Sequence, residues 1–484
     1  MSYNDYYSQT GGSVDSIAFY NRSYSSATDF TYRKVKSTRA RLTLDHQWRN
    51  GSERFVTAFY RDNLIGQNPS YSIRWTSGAA TATGQINAST FTSYGVLAQH
   101  SQKLPFLNGK ILAGLMYDNS PTQYNAYQID LTTTLRADKK SVEKYTLSKE
   151  RPDILLANYD AVIRNSAAYA QLDFEPITNL RLSIGGRFDQ MSFDYNNYLD
   201  KSSGTRAYTR FTPKIGLTYD LGHDRGVYGN FAQGFAPPGL TAIFTKRPTP
   251  LPNGDLFYYN ISPATFDNYE IGGWASLLNR KIFIDVALYQ MNGRNELLNI
   301  RQPDNSTDYQ SAGRTLHRGI EYSLTWKPMS ELFFRFGGTN AVHRFEEFTL
   351  STRASDVLKN VNGYDMPQAP RWVANTEITW KPNWLRGLRT SLEWQRIAPW
   401  FQNQINTVSY ADRGAFGAKG VSVLNLRAGY GWHGLEVFTN VLNLTNELYA
   451  TSATRGNNAT DRTTFTPSAP RTVTLGIQYS FTGK

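Results

Sequence analysis

Apolar and polar side chains take turns along much of this chain. Near its end, Val473, Leu475, Ile477, Tyr479 and Phe481 alternate with Thr472, Thr474, Gly476, Gln478 and Ser480. The same period of two sets Leu182, Ile184, Gly186 and Phe188 against Arg181, Ser183, Gly185, Arg187 and Asp189. It sets Ile320, Tyr322, Leu324 and Trp326 against Glu321, Ser323 and Thr325, and Trp372, Ala374, Thr376, Ile378 and Trp380 against Val373, Asn375, Glu377 and Thr379. Successive side chains of a strand point to opposite faces, whereas a helix needs apolar residues three and four apart. The expected fold is therefore all-β, built from strands with one apolar face.

The connections between these segments have a rhythm of their own. Short turns at 175–179, 221–225, 278–280, 327–331, 381–386 and 431–434 carry Pro, Gly and Asn. Long polar stretches at 192–207, 236–266, 293–315, 343–370, 398–420 and 444–470 alternate with them. Compact soluble domains seldom hold so many long connections. Short turns at one end and long loops at the other are the mark of an antiparallel up-and-down transmembrane β-barrel. Its strands need about 9–11 residues to cross the bilayer. Segmenting the chain on this rule gives about 18 strands. They begin with 13–24, 37–48 and 53–63 and end with 421–431, 435–443 and 471–482. Tyr71–Trp75 could add a further short strand. Trp326, Trp380, Tyr430 and Trp432 fall near strand ends, where interfacial aromatic girdles sit.

Composition removes other classes. No apolar run approaches the roughly 18 residues of a spanning helix. There is no cysteine, hence no disulfide framework, thiolate metal site or Cys nucleophile. The six histidines (His46, His100, His223, His317, His343 and His433) show no ligand-pair spacing along the sequence, so no metal centre is expected. A phosphate-binding glycine loop and a Gly-x-Ser-x-Gly elbow are both missing, and the acidic pair Glu346-Glu347 lies in a loop stretch. Neither catalysis nor a cofactor is expected. Met1–Thr10 has no basic, apolar and small-residue succession of the signal-peptide kind. The net charge of +12 favours anionic partners. The densest basic run, Arg33, Lys34, Lys36, Arg39 and Arg41, suits lipopolysaccharide phosphates at an outer loop better than nucleic acid.

Five segments in order carry a family resemblance. They are Ala167–Asp173 with Leu180–Asp189; Phe211–Leu217 with Tyr228–Leu240; Asn268–Gly272 with Ile282–Tyr289; Val441–Tyr449; and Pro470–Phe481. Together they resemble the β-barrel of TonB-dependent outer-membrane receptors, over about residues 165–484. The resemblance implies the outer membrane of a Gram-negative bacterium. It also implies a barrel of about 22 strands whose lumen is plugged. Against that pattern, residues 1–484 read as an N-terminally truncated barrel, with the plug, the energy-coupling segment and the first four strands absent. A passive 18-stranded porin and a soluble all-β binding protein are the competing readings. The ending departs slightly, since Phe481 is followed by Thr482, Gly483 and Lys484 rather than closing the chain.

The family imports scarce ligands, and the resemblance together with chain size points to a ferric siderophore. Implied partners are outer-membrane lipid and lipopolysaccharide, a TonB-type energising protein and the barrel-assembly machinery. An anionic, aromatic chelate calls for cations and rings. The stretch 236–266 offers Phe244, Lys246, Arg247, Tyr258 and Tyr259; 398–420 offers Trp400, Phe401, Tyr410 and Arg413; 444–470 offers Tyr449, Arg455 and Arg462. Arg187 and Arg427 would stand on the lumen wall. Each of these could instead stabilise its own loop.

Overall fold

A computed structural model describes residues 1–484 apart from 24, 25, 138, 140, 247–260, 302–306, 357, 459, 460 and 482–484. Its centre is one 18-stranded antiparallel meander running from Ser2–Gln9 to Thr472–Tyr479. Two small hairpins stand outside it, Trp400–Phe401 with Ser409–Tyr410 and Ala450–Thr454 with Thr464–Pro467. The expected number of strands is the observed one.

Register shows why the sheet is two-faced. Phe334, Ile378, Leu392, Leu426, Val441 and Val473 stand opposite one another across six successive strands. Ile271, Leu288 and Ile320 form a similar row, as do Ile215, Phe231 and Tyr269. This apolar face is bare: Ile271 is 62% exposed, Leu475 76% and Ile477 75%. No second layer of protein covers these side chains. Monomeric soluble proteins rarely expose apolar patches beyond about 300–600 Å². A face of this extent is stable only in a medium as apolar as itself. Trp326, Trp380, Tyr430 and Trp432 stay substantially exposed beside the short turns, as girdle residues do.

The short turns are tightly made. Gly387 has φ +99°, and a Cβ there would stand 2.2 Å from the Gly431 carbonyl oxygen of the neighbouring turn. Only glycine meets both demands.

The ends of the strands differ from the sequence expectation. The first strand is Ser2–Gln9, not 13–24, and pairs with Tyr32–Gln47. Both of its faces are polar or exposed, so it carries no alternation to read. The expected range holds instead a one-turn helix, Ser16–Tyr20, whose N-cap Asp15 accepts from the Ala18 N–H at 2.9 Å. Tyr71–Trp75 is not a further strand: a 3-10 turn, Ser70–Ser72, overlaps its start, and one bridge joins Arg74 to Thr83. Several expected loops are continued strands. Leu180–Asn197 and Ser203–Asp220 leave little of 192–207 unpaired, and Ile282–Arg301 and Thr307–Met329 absorb most of 293–315. Beyond lipid both faces of a strand meet water, so the apolar contrast fades while backbone pairing continues.

The ends of the meander meet. Val14 and Phe465 exchange two backbone hydrogen bonds of 2.8 Å, and the Phe19 and Phe465 rings stack at 4.5 Å. The Tyr20 hydroxyl donates to Asp412 at 3.0 Å. The sheet therefore curls until the loop after its first strand touches the loops near its last.

Candidate functional site

The polar face holds two regions, a charged wall level with the apolar belt and an aromatic rim above it. On the wall, register places Arg335, Glu377, Glu393 and Asn425 side by side on four neighbouring strands. Two carboxylates directly opposite would repel. Arg427 answers this by pairing with Glu377 while standing 3.6 Å from Glu393 Oε2. Arg335 Nη2 donates to Glu377 Oε1 at 2.8 Å. Asn375 and Asn425 donate to Glu393 at 2.5 and 3.1 Å. Arg335, Glu377 and Arg427 line a recess of about 660 Å³ that also takes in Lys327, Lys381 and Arg389. Arg187 grips Asp189 two residues along its own strand, at 2.8 Å through both Nε and Nη2, with its guanidinium 5.8 Å from the Tyr169 ring. Both wall arginines named from the sequence are thus neutralised by wall carboxylates.

At the rim, Phe244 ends a short helix, Leu240–Phe244, that folds onto the polar face. Its ring stacks on Tyr195 at 4.7 Å, Tyr195 lies 5.1 Å from Tyr159, and Tyr159 lies 5.2 Å from Tyr124. Four rings thus form one row across three strands. Phe244 is buried, whereas the three tyrosines are half-exposed. Burial above all, then the neighbouring phenols, pushes the Tyr159 hydroxyl up to about 12. Lys246 Nζ stands 3.5 Å from Asp200 and ties this loop to the preceding one, between Leu180–Asn197 and Ser203–Asp220. The other three candidates in the stretch 236–266, Arg247, Tyr258 and Tyr259, lie outside the described residues.

The third group of loops is a packed unit. Trp400 and Tyr410 are buried with ring centroids 4.5 Å apart, among Phe19, Val421, Val423, Ala450, Ala453 and Phe465. The Tyr410 hydroxyl accepts from the Ala450 N–H at 3.0 Å, and burial drives its ionisation far above the ordinary range. Phe401 and Tyr449 are half-buried, with Tyr449 packed against the same cluster. Arg413 and Arg462 are exposed, and Arg455 is half-buried with its backbone N–H donating to the Gln402 carbonyl at 3.1 Å. Trp400 and Tyr410 therefore organise the loops, and the cations stand at their surface.

Two groupings were not foreseen. The tyrosine row becomes visible only once the long strands are paired. His317 and His343, unpaired by sequence spacing, face each other in register across one hairpin with Nδ1 atoms 2.8 Å apart. Counting outward from the turn at 327–331 would have found them. Among the described residues no three His, Asp or Glu are placed to hold a metal ion together.

Comparison with known proteins agrees with this architecture. The family described as "TonB dependent receptor-like, beta-barrel" matches residues 1–444. Among solved structures, the siderophore receptor PiuA from Acinetobacter baumannii superposes with a TM-score of 0.72 at 17% identity, over 93% of this chain and 65% of its own. The ferric citrate transporter FecA gives 0.71 at 15% identity, over 98% and 66%. The ferric yersiniabactin uptake receptor FyuA from Yersinia pestis gives 0.68 at 15% identity, over 93% and 62%. The chain thus spans about two thirds of the length of these structures, and at such identities the likeness is one of fold. The bare apolar face is the lipid-facing surface of a barrel and the polar face its lumen wall: the chain belongs to the TonB-dependent receptors, whose β-barrel it forms.

Proposed function

We propose that this barrel serves an outer-membrane receptor that takes up a metal chelate of the ferric-siderophore kind. The observation that carries the reading is the rim: a row of half-exposed tyrosines, Tyr124, Tyr159 and Tyr195, on the lumen side above the lipid belt. Flat aromatic surface, with Lys246 on the loop whose Phe244 stacks on it and with Arg413 and Arg462 exposed on the other loop unit, suits an anionic chelate with aromatic or extended π groups. Arg187 and Arg427 then act as wall residues held in ion pairs, not as ligand anchors. The three solved structures compared with this chain are named as a siderophore receptor, a ferric citrate transporter and a ferric yersiniabactin uptake receptor, which supports binding and uptake over catalysis. A TonB-type protein would supply energy, and the barrel-assembly machinery and lipopolysaccharide would be the membrane-side partners.

A passive porin would need only the open lumen and no chelate site. Tryptophan fluorescence of the chain folded in detergent, titrated with hydroxamate, catecholate and carboxylate ferric siderophores, separates the two readings. Saturable quenching by one ferric class, absent with the iron-free chelator, is expected. Free diffusion of small sugars through the protein in liposomes, with no saturable chelate binding, would establish the porin instead.

A further inference from the structure

The loop between Leu388–Ile397 and Val421–Trp432 straddles the rim of the barrel. Its earlier part turns inward, where Tyr410 packs on Val421 and Val423 in the loop core. Its later part, 413–420, lies over the other face. Leu392 and Leu426 belong to the bare apolar row, and Trp394 and Ser422, an even number of residues away on the same strands, share their side. Trp394 Nε1 donates to Ser422 Oγ at 2.9 Å, and Ser422 Oγ donates to the Ala415 carbonyl at 2.8 Å. A Cβ on Gly414 would stand 2.6 Å from the Ser422 carbonyl oxygen, so the loop backbone rests directly on the strand. The Phe416 ring meets the Trp394 ring edge-on at 6.1 Å.

Arg396 clamps this flap from the same lipid-facing side and is only 8% exposed. Its Nη1 donates to the Ile397 and Val421 carbonyls at 2.6 and 3.0 Å, and its Nη2 to the Lys419 carbonyl at 2.5 Å. The guanidinium lies 5.6 Å from the Trp372 ring. Carbonyls satisfy its N–H groups but leave its charge unanswered. Among the described residues no carboxylate pairs with Arg396 or with the exposed Lys419, and Asp412, the acid of this loop, accepts from Tyr20. Phe416 adopts φ 61°, which a bulky residue takes only where its surroundings impose it, and its ring is left 78% exposed.

Height fixes what this surface meets. Ser422 stands ten residues from Trp432 of the short-turn girdle on one strand. At about 3.3 Å per residue and a tilt of about 40°, that is roughly 25 Å of elevation, the full apolar band of an outer-membrane barrel. The flap therefore sits at the upper edge of the band, on the side away from the short turns. We propose that 413–420 is a docking site for a phosphorylated glycolipid of the outer leaflet. Phe416 and Trp394 pack against its acyl chains, and Lys419, beside the uncompensated charge of Arg396, binds its phosphate. Arg413, exposed where the loop crosses the rim, adds positive charge. The site is continuous with the lipid-facing belt and needs no siderophore.

The test uses the full chain folded in detergent, with Ala418→Cys carrying an environment-sensitive fluorophore beside Phe416. The chain has no other cysteine, so the label is unique. Titration with bisphosphorylated lipid A in mixed micelles is expected to give a saturable blue shift. Lys419→Gln should weaken this binding about fivefold, the effect of one cation at a membrane surface, and Lys419→Arg should restore it. Phe416→Ser should weaken it at least as much while keeping heat-modifiable migration, the sign of a folded barrel. Lys201→Gln, on another loop of the same rim, should change nothing. An equal response to phosphatidylcholine or to dephosphorylated lipid A would show unspecific lipid contact and overturn the proposal. A response to inorganic phosphate alone, or wild-type affinity in Lys419→Gln, would overturn it as well.

Discussion

The extracellular ends of the two halves of this barrel are ordered by different means. On the N-terminal side, Thr81–Lys103, Lys110–Leu135 and Val142–Ile177 run for 23, 26 and 36 residues. At about 3.3 Å per residue, the longest would reach roughly 120 Å if straight, several times a bilayer crossing. On the C-terminal side, Trp372–Trp380, Leu435–Leu442 and Thr472–Tyr479 have 9, 8 and 8 residues and stop near the lipid boundary. The long strands carry their own order in backbone pairing, helped by a small core of Ala82, Ile86, Ile129 and Leu131. The short ones hand over to loops that must be held by side chains, and Phe19, Trp400, Tyr410 and Phe465 supply that core. Order from pairing is spread over many bonds, whereas order from a side-chain core is concentrated in a few residues.

That contrast can be broken at chosen points. Phe465→Ala should have the largest effect, because this ring stacks on Phe19 and its backbone bridges Val14. A loss of about 3–5 kcal/mol from the loop unit is expected. Hydrogen exchange should then rise across 398–420 and 444–470 while the three long strands stay protected; a uniform rise over the barrel would refute separate loop order. Leu131→Ala, at a side chain fully buried in the small core of the long strands and opposite Leu147, should cost about 2–4 kcal/mol locally. Exchange should quicken near 129–147, with the strands still paired lower down.

The smallest effect is a pH dependence. Burial, then the hydrogen bond to Asp412, pushes the Tyr20 hydroxyl up to about 12. In an unfolded chain it would ionise near 10. The folded loops favour the neutral phenol, so this contribution is complete below about pH 10 and fades as the pH rises through 12. Near-ultraviolet circular dichroism should show the loop unit loosening in that window, and Tyr20→Phe should remove that part of the dependence while costing about 1 kcal/mol or less at neutral pH. An unchanged profile in the variant would place the titration elsewhere.

The same contrast explains what the sequence reveals. Val473, Leu475 and Ile477 announce their strand because lipid sits on one side and water on the other. Tyr124 and Tyr159 belong to strands that continue into water on both faces, so no period marks them. Ser2–Gln9 is silent for the same reason, and its place was taken by the helix that Asp15 caps. Trp400 and Tyr410 were recognisable as important rings, but whether a loop ring meets a ligand or another loop depends on contacts far apart in sequence, such as Tyr410 with Ala450. Arg187 and Arg427 were placed on the correct wall by alternation alone. Their carboxylate partners followed from register, which needs the turns to be located to the residue.

The central claim is that the bare face touches hydrocarbon and the opposite face does not. The chain has no cysteine, so single cysteines can be introduced cleanly. Fluorophores at Leu115, Ile271 and Leu475, on the apolar face, should be quenched strongly by brominated lipid in reconstituted membranes and remain shielded from aqueous iodide. Fluorophores at Thr325, Asn375 and Thr474, on the polar face, should show the reverse. Quenching by lipid on both faces, or by iodide at Ile271, would contradict the barrel.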